Sequence, residues 1–366
     1  MSLNSEAVQQ LVKLLSKYSP SGEEDEAQEE VFSLLISKGF ENVRKDCIGN
    51  VIGEKGDGYR TLLFCSHVDT VPGIIDVKVE SERVFGRGAV DAKAPLLAMI
   101  LAASKYESRS LRLVFSSVVG EESDSRGIKH LLEKLSPPDY VIIGEPTGIR
   151  AAAIAYRGSA NVRIRVSTKG GHSSSPMDDA NAIIQLMKLV EYVKSKFTFS
   201  KDVFSNIGVS ITMVKGGYGD SRIPDSSEAF LNLRYPPEVS FGKLSELFTN
   251  TLGEYCENNK NILSVQHEFL DHLDGYVSVK DKIMLNSVRE AVKMVIGRDL
   301  LLIRKLGTSD FNYTGVKWGT PQIAWGPGDP SLAHSVNESI SVEEFTQGIK
   351  AYEVFLKVFS SSLAMT

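Results

Sequence analysis

The spacing of apolar residues along this chain switches between the helical and the strand period. Residues 5–18 and 24–38 read as helices, with Val31, Leu34 and Leu35 at helical spacing in the second. Ser21 followed three residues later by Glu24 predicts a capping box, and acidic Glu23, Glu24 and Asp25 suit a helix N-terminus. Short apolar runs at 61–66, 111–118 and 140–143 read as buried strands. Helices are expected between them at about 93–105 and 127–134; Pro95 is tolerated in the first turn of the former. Strands alternating with helices make this an α/β region.

The pattern changes near residue 158. Residues 161–167 (NVRIRVS) alternate strictly, which marks a strand with one wet face. A helix at 180–196, strands at 209–214 and 228–234 and a helix at 244–258 follow, in the order βαββα. Helix–strand alternation then resumes and ends in a helix after Ser341. The expected organisation is a discontinuous α/β catalytic domain, 1–157 and 271–366, interrupted by an inserted α+β lid, 158–270.

Composition narrows the class. A net charge of -5 argues against a nucleic-acid binder that relies on global positive charge. Cys47, Cys65 and Cys256 are odd in number and have no CxxC spacing, which fits free thiols. The N-terminus lacks a basic region before an apolar run, and no run of about 18 apolar residues occurs, so cytoplasm is the expected compartment.

Candidate chemistry falls at strand ends. The first apolar run leads into His67-Val68-Asp69, the second into Glu121-Glu122 and the third into Glu145-Pro146. In open α/β sheets that edge is where ligands bind. Asp91 sits in a glycine-rich bend leading into an Ala/Leu helix, and His334 follows Gly326-Pro327-Gly328-Asp329. Each residue alone has a bland reading: a structural histidine, a solvated acidic pair, a helix N-cap at Asp91, a turn at Glu145. Their joint placement points to a metal site, and two histidines with three carboxylates suit two divalent ions sharing a bridging carboxylate. Nitrogen and oxygen ligands without thiolate fit Zn²⁺ or Co²⁺. His172 lies in a turn of small residues, Gly170 to Pro176, and the glycines near 216–219 lack the Lys-Ser/Thr of a phosphate loop. Arg157, Arg163 and Arg165 read as a solvated basic sheet face.

At these residues the sequence resembles the M20 metallopeptidase family. The pieces run in order along nearly the whole chain: Ser-Pro-Ser-Gly (19–22), His67-Val-Asp69, GRGAVDAK (86–93), Gly120-Glu121-Glu122, Gly144-Glu145-Pro146, GGHSS (170–174) and His334. The resemblance implies that Asp91 bridges two metals, with His67 and Glu145 on one and Glu122 and His334 on the other. It implies that Asp69 orients His67 and that Glu121 is the general base and acid. His172 is implied to steady the oxyanion in a partner subunit's site, hence a homodimer through the lid. Arg234 is implied to grip a substrate carboxylate. GRGAVDAKAPLLAM, GTSDFN (307–312) and GPGDPSLAHSVNE (326–338) look most like the branch that releases lysine, and sometimes ornithine, from the terminal glutamate side chain of a small acidic amino-group carrier protein. The alternatives are an N-acetylornithine, N-acetyl-lysine or succinyl-diaminopimelate deacylase, and a dipeptidase or carboxypeptidase. Residues 157–215 carry nine Lys/Arg against four Asp/Glu, a surplus that an acidic carrier would find complementary. Ala94, Ser221 and Asn232 depart from the common family pattern, at positions that touch no implied ligand.

Overall fold

The computed structural model describes residues 3–107, 109–175 and 177–365, so Pro176 of the expected turn lies outside the described residues. The chain divides into two compact units. The first comprises 1–154, 278–303 and 309–366; the second comprises 155–277 and the strip 304–308. That strip has no periodic signal of its own and joins the second unit through its contacts alone.

The first unit is built on a mixed sheet. Its strands lie side by side in the order Glu41–Lys45, Val51–Lys55, Leu111–Val118, Arg60–His67, Tyr140–Ile143, Gln322–Ala324, Ala151–Tyr156. Arg60–His67 runs parallel to both of its neighbours, and Gln322–Ala324 runs parallel to Tyr140–Ile143. The last six residues of Arg60–His67 are all buried, as are all four of Tyr140–Ile143. A strand covered on both faces has no polar face to show, which is why these segments read as unbroken apolar runs. Four parallel strands therefore bring their C-terminal ends to one edge, at His67, Val118, Ile143 and Ala324.

The helix Lys93–Ser104 is buried at eleven of its twelve positions. A helix apolar all round belongs in a core, and truncating Leu97 to alanine there would cost about 2–5 kcal/mol. Lys93 is its one charged residue; its Nζ donates to the carbonyls of Lys17 at 2.5 Å and Leu14 at 3.4 Å.

Two local expectations need correction, and one hairpin was not foreseen. The N-terminal helices run Leu3–Leu15 and Asp25–Ser37, and the capping box between Ser21 and Glu24 does not form. Ser21 Oγ instead donates to Asp69 Oδ2 at 2.6 Å, and Glu24 pairs with Arg126 at 2.6 Å; a long-range acceptor outcompetes the local cap. Asp91 is not a helix N-cap, because that position belongs to Ala92 and carries no side-chain bond. The hairpin Glu41–Lys45 with Val51–Lys55 went unread, since the first of these strands is largely exposed and has no apolar alternation.

The second unit packs a four-stranded antiparallel sheet under two helices. The strand order is Gly208–Gly216, Ser226–Tyr235, Gly158–Thr168, Ile262–Leu273. Ala160, Val162, Ile164 and Val166 face the helices Ala182–Phe197 and Phe241–Asn258 and join Leu231, Leu233 and Phe248 in a core. The order is thus βαββαβ; the final strand was missed because none of its residues is fully buried and His267 stands between Val265 and Phe269 on its half-buried face. Arg157 is another correction. It is buried, not solvated, and donates to the carbonyls of Asn206 and Arg234. Arg163 and Arg165 do face solvent, where Glu228 and Glu268 pair with them. Among the described residues, no helix is long and apolar enough to cross a membrane.

Candidate metal centre

The strand edge of the first unit gathers the predicted ligands. His67 ends its strand with a side chain only 2% exposed. Its Nδ1–H donates to the Asp69 carbonyl at 2.9 Å, which leaves Nε2 facing Asp91 Oδ1 at 3.2 Å. The other oxygen of Asp91, Oδ2, lies 3.4 Å from His334 Nε2. One carboxylate thus stands between two imidazoles and offers a separate oxygen to each. His334 Nε2 also lies 2.7 Å from Glu122 Oε1. Ligand atoms of His67, Asp91 and Glu122 all fall within 4.8 Å of one another. Glu145 is buried two residues beyond Ile143, close enough for its charge to act on Glu121.

Asp69 does more than its spacing indicated. Its carboxylate accepts from the backbone N–H of Glu121 and of Glu122, both at 3.0 Å, and from Ser21. Oδ1 lies 3.6 Å from His67 Nδ1, outside hydrogen-bond range, so the carbonyl of Asp69 is what orients that ring. The bend that presents the two glutamates starts at Gly120, whose φ of +72° is a conformation other residues adopt only with strain.

Three supporting residues were not singled out from the sequence. Glu338 is wholly buried, and its Oε1 accepts from the N–H of Val90 at 2.9 Å and of Asp91 at 3.0 Å. Its Oε2 pairs with Arg87 at 2.9 Å, which also donates to the carbonyls of Gly73 and Ser335. This buried pair fixes the loop that carries Asp91. Asp310 is the third. Its carboxyl is buried, and among the described residues no group donates to either oxygen. Glu338 closes one of the stretches quoted above and Asp310 lies within another, but a motif match names no partner 248 residues away.

The electrostatics of this cluster are lopsided. Burial raises the Glu121 carboxyl well above the usual range; His67 opposes this, and Glu145, Asp310 and Glu122 add to it. Burial also pushes Asp310 up to about 7, against the pull of His67. Burial works against charge on His67, yet Asp91, Glu121 and Asp69 raise its pKa well above the ordinary imidazole value. Hydrogen bonds to Asp91 and Glu122 raise His334 to about 10. Asp91 is driven low despite burial, because both imidazolium rings face it. Protons on two histidines here do what cations would do. The nearby Cys65 thiol is kept neutral by burial, so the donors are nitrogen and oxygen only. That set fits divalent metal ions.

Two further predicted residues belong to the second unit. His172 pairs with Arg222 in a short antiparallel ribbon, and its Nδ1 accepts from the backbone N–H of Ser174 at 3.2 Å. An accepting Nδ1 places the ring proton on Nε2. Arg234 lies on the strand Ser226–Tyr235; its Nε donates to Asn232 Oδ1 at 2.9 Å and its Nη1 to Thr308 Oγ1 at 3.0 Å.

Comparison with known proteins gives a consistent picture. Residues 63–358 match the family described as Peptidase family M20/M25/M40. The chain is 32% identical to the "[LysW]-lysine/[LysW]-ornithine hydrolase" of Saccharolobus solfataricus, over 93% of this chain and 92% of that protein. It is 30% identical to the protein of the same name from Sulfurisphaera tokodaii, again over 93% and 92% of the two chains. Among solved structures it resembles Bacillus subtilis YXEP, described as a dinuclear metal binding peptidase from the M20 family. The TM-score is 0.75 at 15% identity, with 99% of each chain covered.

Proposed function

The chain belongs to peptidase family M20/M25/M40, and we propose that within it the protein is a metal-dependent amide hydrolase that releases lysine, and ornithine, from an amino-group carrier protein. The observation that carries the hydrolase reading is Asp91, whose two oxygens face two different histidines. The substrate reading rests on the relatives named as [LysW]-lysine/[LysW]-ornithine hydrolases across nearly the full length of the chain. We assign His67 and Glu145 to one ion, Glu122 and His334 to the other, and Asp91 to both. The relative described as dinuclear supports a pair of ions, for which we propose Zn²⁺ or Co²⁺. A cytoplasmic location and a homodimer through the second unit belong to the same proposal.

When bound, two divalent ions supply polarisation of the amide carbonyl and ease proton loss from water. The chain's own residues do the rest. Asp69 holds the Glu121–Glu122 backbone, so the Glu121 carboxylate takes a proton from the attacking water and returns it to the departing amine. In the proposed homodimer, His172 donates its Nε2–H to the oxygen that gains charge in the partner subunit's site. Arg234 binds the free carboxylate of the released amino acid.

The deciding measurement is amino-acid release by the metal-loaded protein from lysine attached to the carrier, set against free N-acetyl-lysine and N-acetylornithine. Preferred release from the carrier is expected. Faster turnover of the free acyl amino acids would discard the carrier and keep the hydrolase.

A further inference from the structure

The side chains that accept from the Arg234 guanidinium are neutral, and the one charge shown acting with it is another cation, the buried Arg157 guanidinium. The Nε of Arg234 donates to Asn232 Oδ1 and its Nη1 to Thr308 Oγ1, and among the described residues no carboxylate pairs with it. Five N–H bonds project from a guanidinium, and these two contacts use two of them. One Nη1–H and both Nη2–H bonds are left, which is the end-on fork that receives a carboxylate through two parallel hydrogen bonds. Both contacts lie within the second unit, because the strip 304–308 belongs to it.

The amide of Asn232 cannot turn over without loss. Its Nδ2 donates to Asn161 Oδ1 at 2.9 Å and to Ser159 Oγ at 3.0 Å. Asn161 is the register partner of Asn232 on one side and of Asp271 on the other. Its own Nδ2 donates to both oxygens of Asp271, at 2.9 and 3.1 Å. The acid at the far end therefore sets which way Asn161 points, Asn161 sets Asn232, and Asn232 presents only its carbonyl oxygen to Arg234. The backbone is held as well, since buried Arg157 donates to the carbonyl of Arg234. The single carboxylate in this row, Asp271, is separated from the arginine by two amides. Its charge fixes orientation without cancelling the guanidinium.

We propose that Asn232 and Thr308 are positioning residues for Arg234, and that their neutrality reserves the guanidinium's charge for the carboxylate of the released amino acid. This rests on the assignment of Arg234 as the carboxylate-binding residue. An acid at 232 would pair with Nε and set its own charge against the incoming one. A residue lacking the hydroxyl at 308 would let Nη1 swing out of the fork.

The test uses the metal-loaded full chain and compares product inhibition by L-lysine with that by L-lysinamide, which lacks the carboxylate. The wild type should favour lysine by about tenfold or more, the worth of a charge-assisted pair. Asn232→Asp should cut that preference about tenfold and raise KM for the carrier-linked substrate, with kcat changed about twofold or less. Thr308→Val should lower the preference severalfold, and Thr308→Ser should restore it. Arg234→Ala is the reference and should erase the preference. If Arg234→Ala erases it while Asn232→Asp and Thr308→Val leave it intact, positioning is overturned and the arginine assignment stands. If the wild type shows no preference, or Arg234→Ala keeps it, both fall together. Melting curves of each variant separate a local loss of preference from unfolding, which would lower kcat and KM effects alike across both inhibitors.

Discussion

Around Asp91 the chain crowds carboxylates against one another; around Arg234 it surrounds one cation with amides and a hydroxyl. In the first unit Asp91, Glu121, Glu122, Glu145 and Asp310 share a largely buried edge with His67 and the half-exposed His334, and burial together with neighbouring acids raises Glu121 and Asp310. In the second unit the only acid of the row stands two side chains away from the guanidinium. The acidic cluster is electrostatically incomplete and calls for added positive charge. The arginine is complete in its hydrogen bonds except for a fork, and calls for one anion.

The contrast is broken most severely by removing the base. Glu121→Gln should lower kcat by about 10³-fold, within the usual reach of general acid–base catalysis, while metal content by mass spectrometry stays near wild type. Activity near normal would mean that Glu121 is not the base. Next in size is the loop that carries Asp91. Glu338→Gln leaves the Arg87 charge buried without its partner and should cost roughly 3–5 kcal/mol in urea unfolding. A loss under about 1 kcal/mol would show that the loop holds itself.

Metal removal sharpens the same point. Zn²⁺ at a hundred times its dissociation constant should add about 2.7 kcal/mol of stability over the chelated protein. The chelated protein should also respond to pH. The folded pKa of His334 is raised to about 10 from 6.5. Its contribution is therefore whole below about 6.5 and is lost as pH rises through about 10. Melting temperature of the chelated protein should fall over that window and flatten in His334→Ala, whereas the loaded protein should show neither change. The smallest effect belongs to the exposed sheet face. Arg165→Gln removes a solvent-exposed pair with Glu228 and should move stability by about 1 kcal/mol or less. If the basic surplus greets an acidic carrier, the same change raises KM for carrier-linked lysine more than for free N-acetyl-lysine. Equal effects on both would remove that face from recognition.

Much of the first unit was legible because its signals are local. The strands Leu111–Val118 and Tyr140–Ile143 coincide with their apolar runs, and the fully buried helix Lys93–Ser104 announces itself by having no polar face. The strand Ile262–Leu273 was not legible. It lies at a sheet edge, half-exposed, where charged residues cost little and the period is blurred. The basic face was read only in part, since Arg157 shares a composition with Arg163 and Arg165 but is buried.

By itself the sequence determined which chemistry arrives at the strand ends: His67, Glu122, Glu145 and their neighbours follow apolar runs whose direction and burial are set by nearest-neighbour periodicity. Only the tertiary structure decided how those groups are held. Asp69 holds His67 through its backbone carbonyl, while its carboxylate accepts from the backbone of Glu121 and Glu122. Glu338 reaches back 248 residues to Val90, and the direction of the Asn232 amide depends on Asp271 across two strands. Hydrogen bonds of that reach depend on register and packing between distant segments, and no local period encodes them.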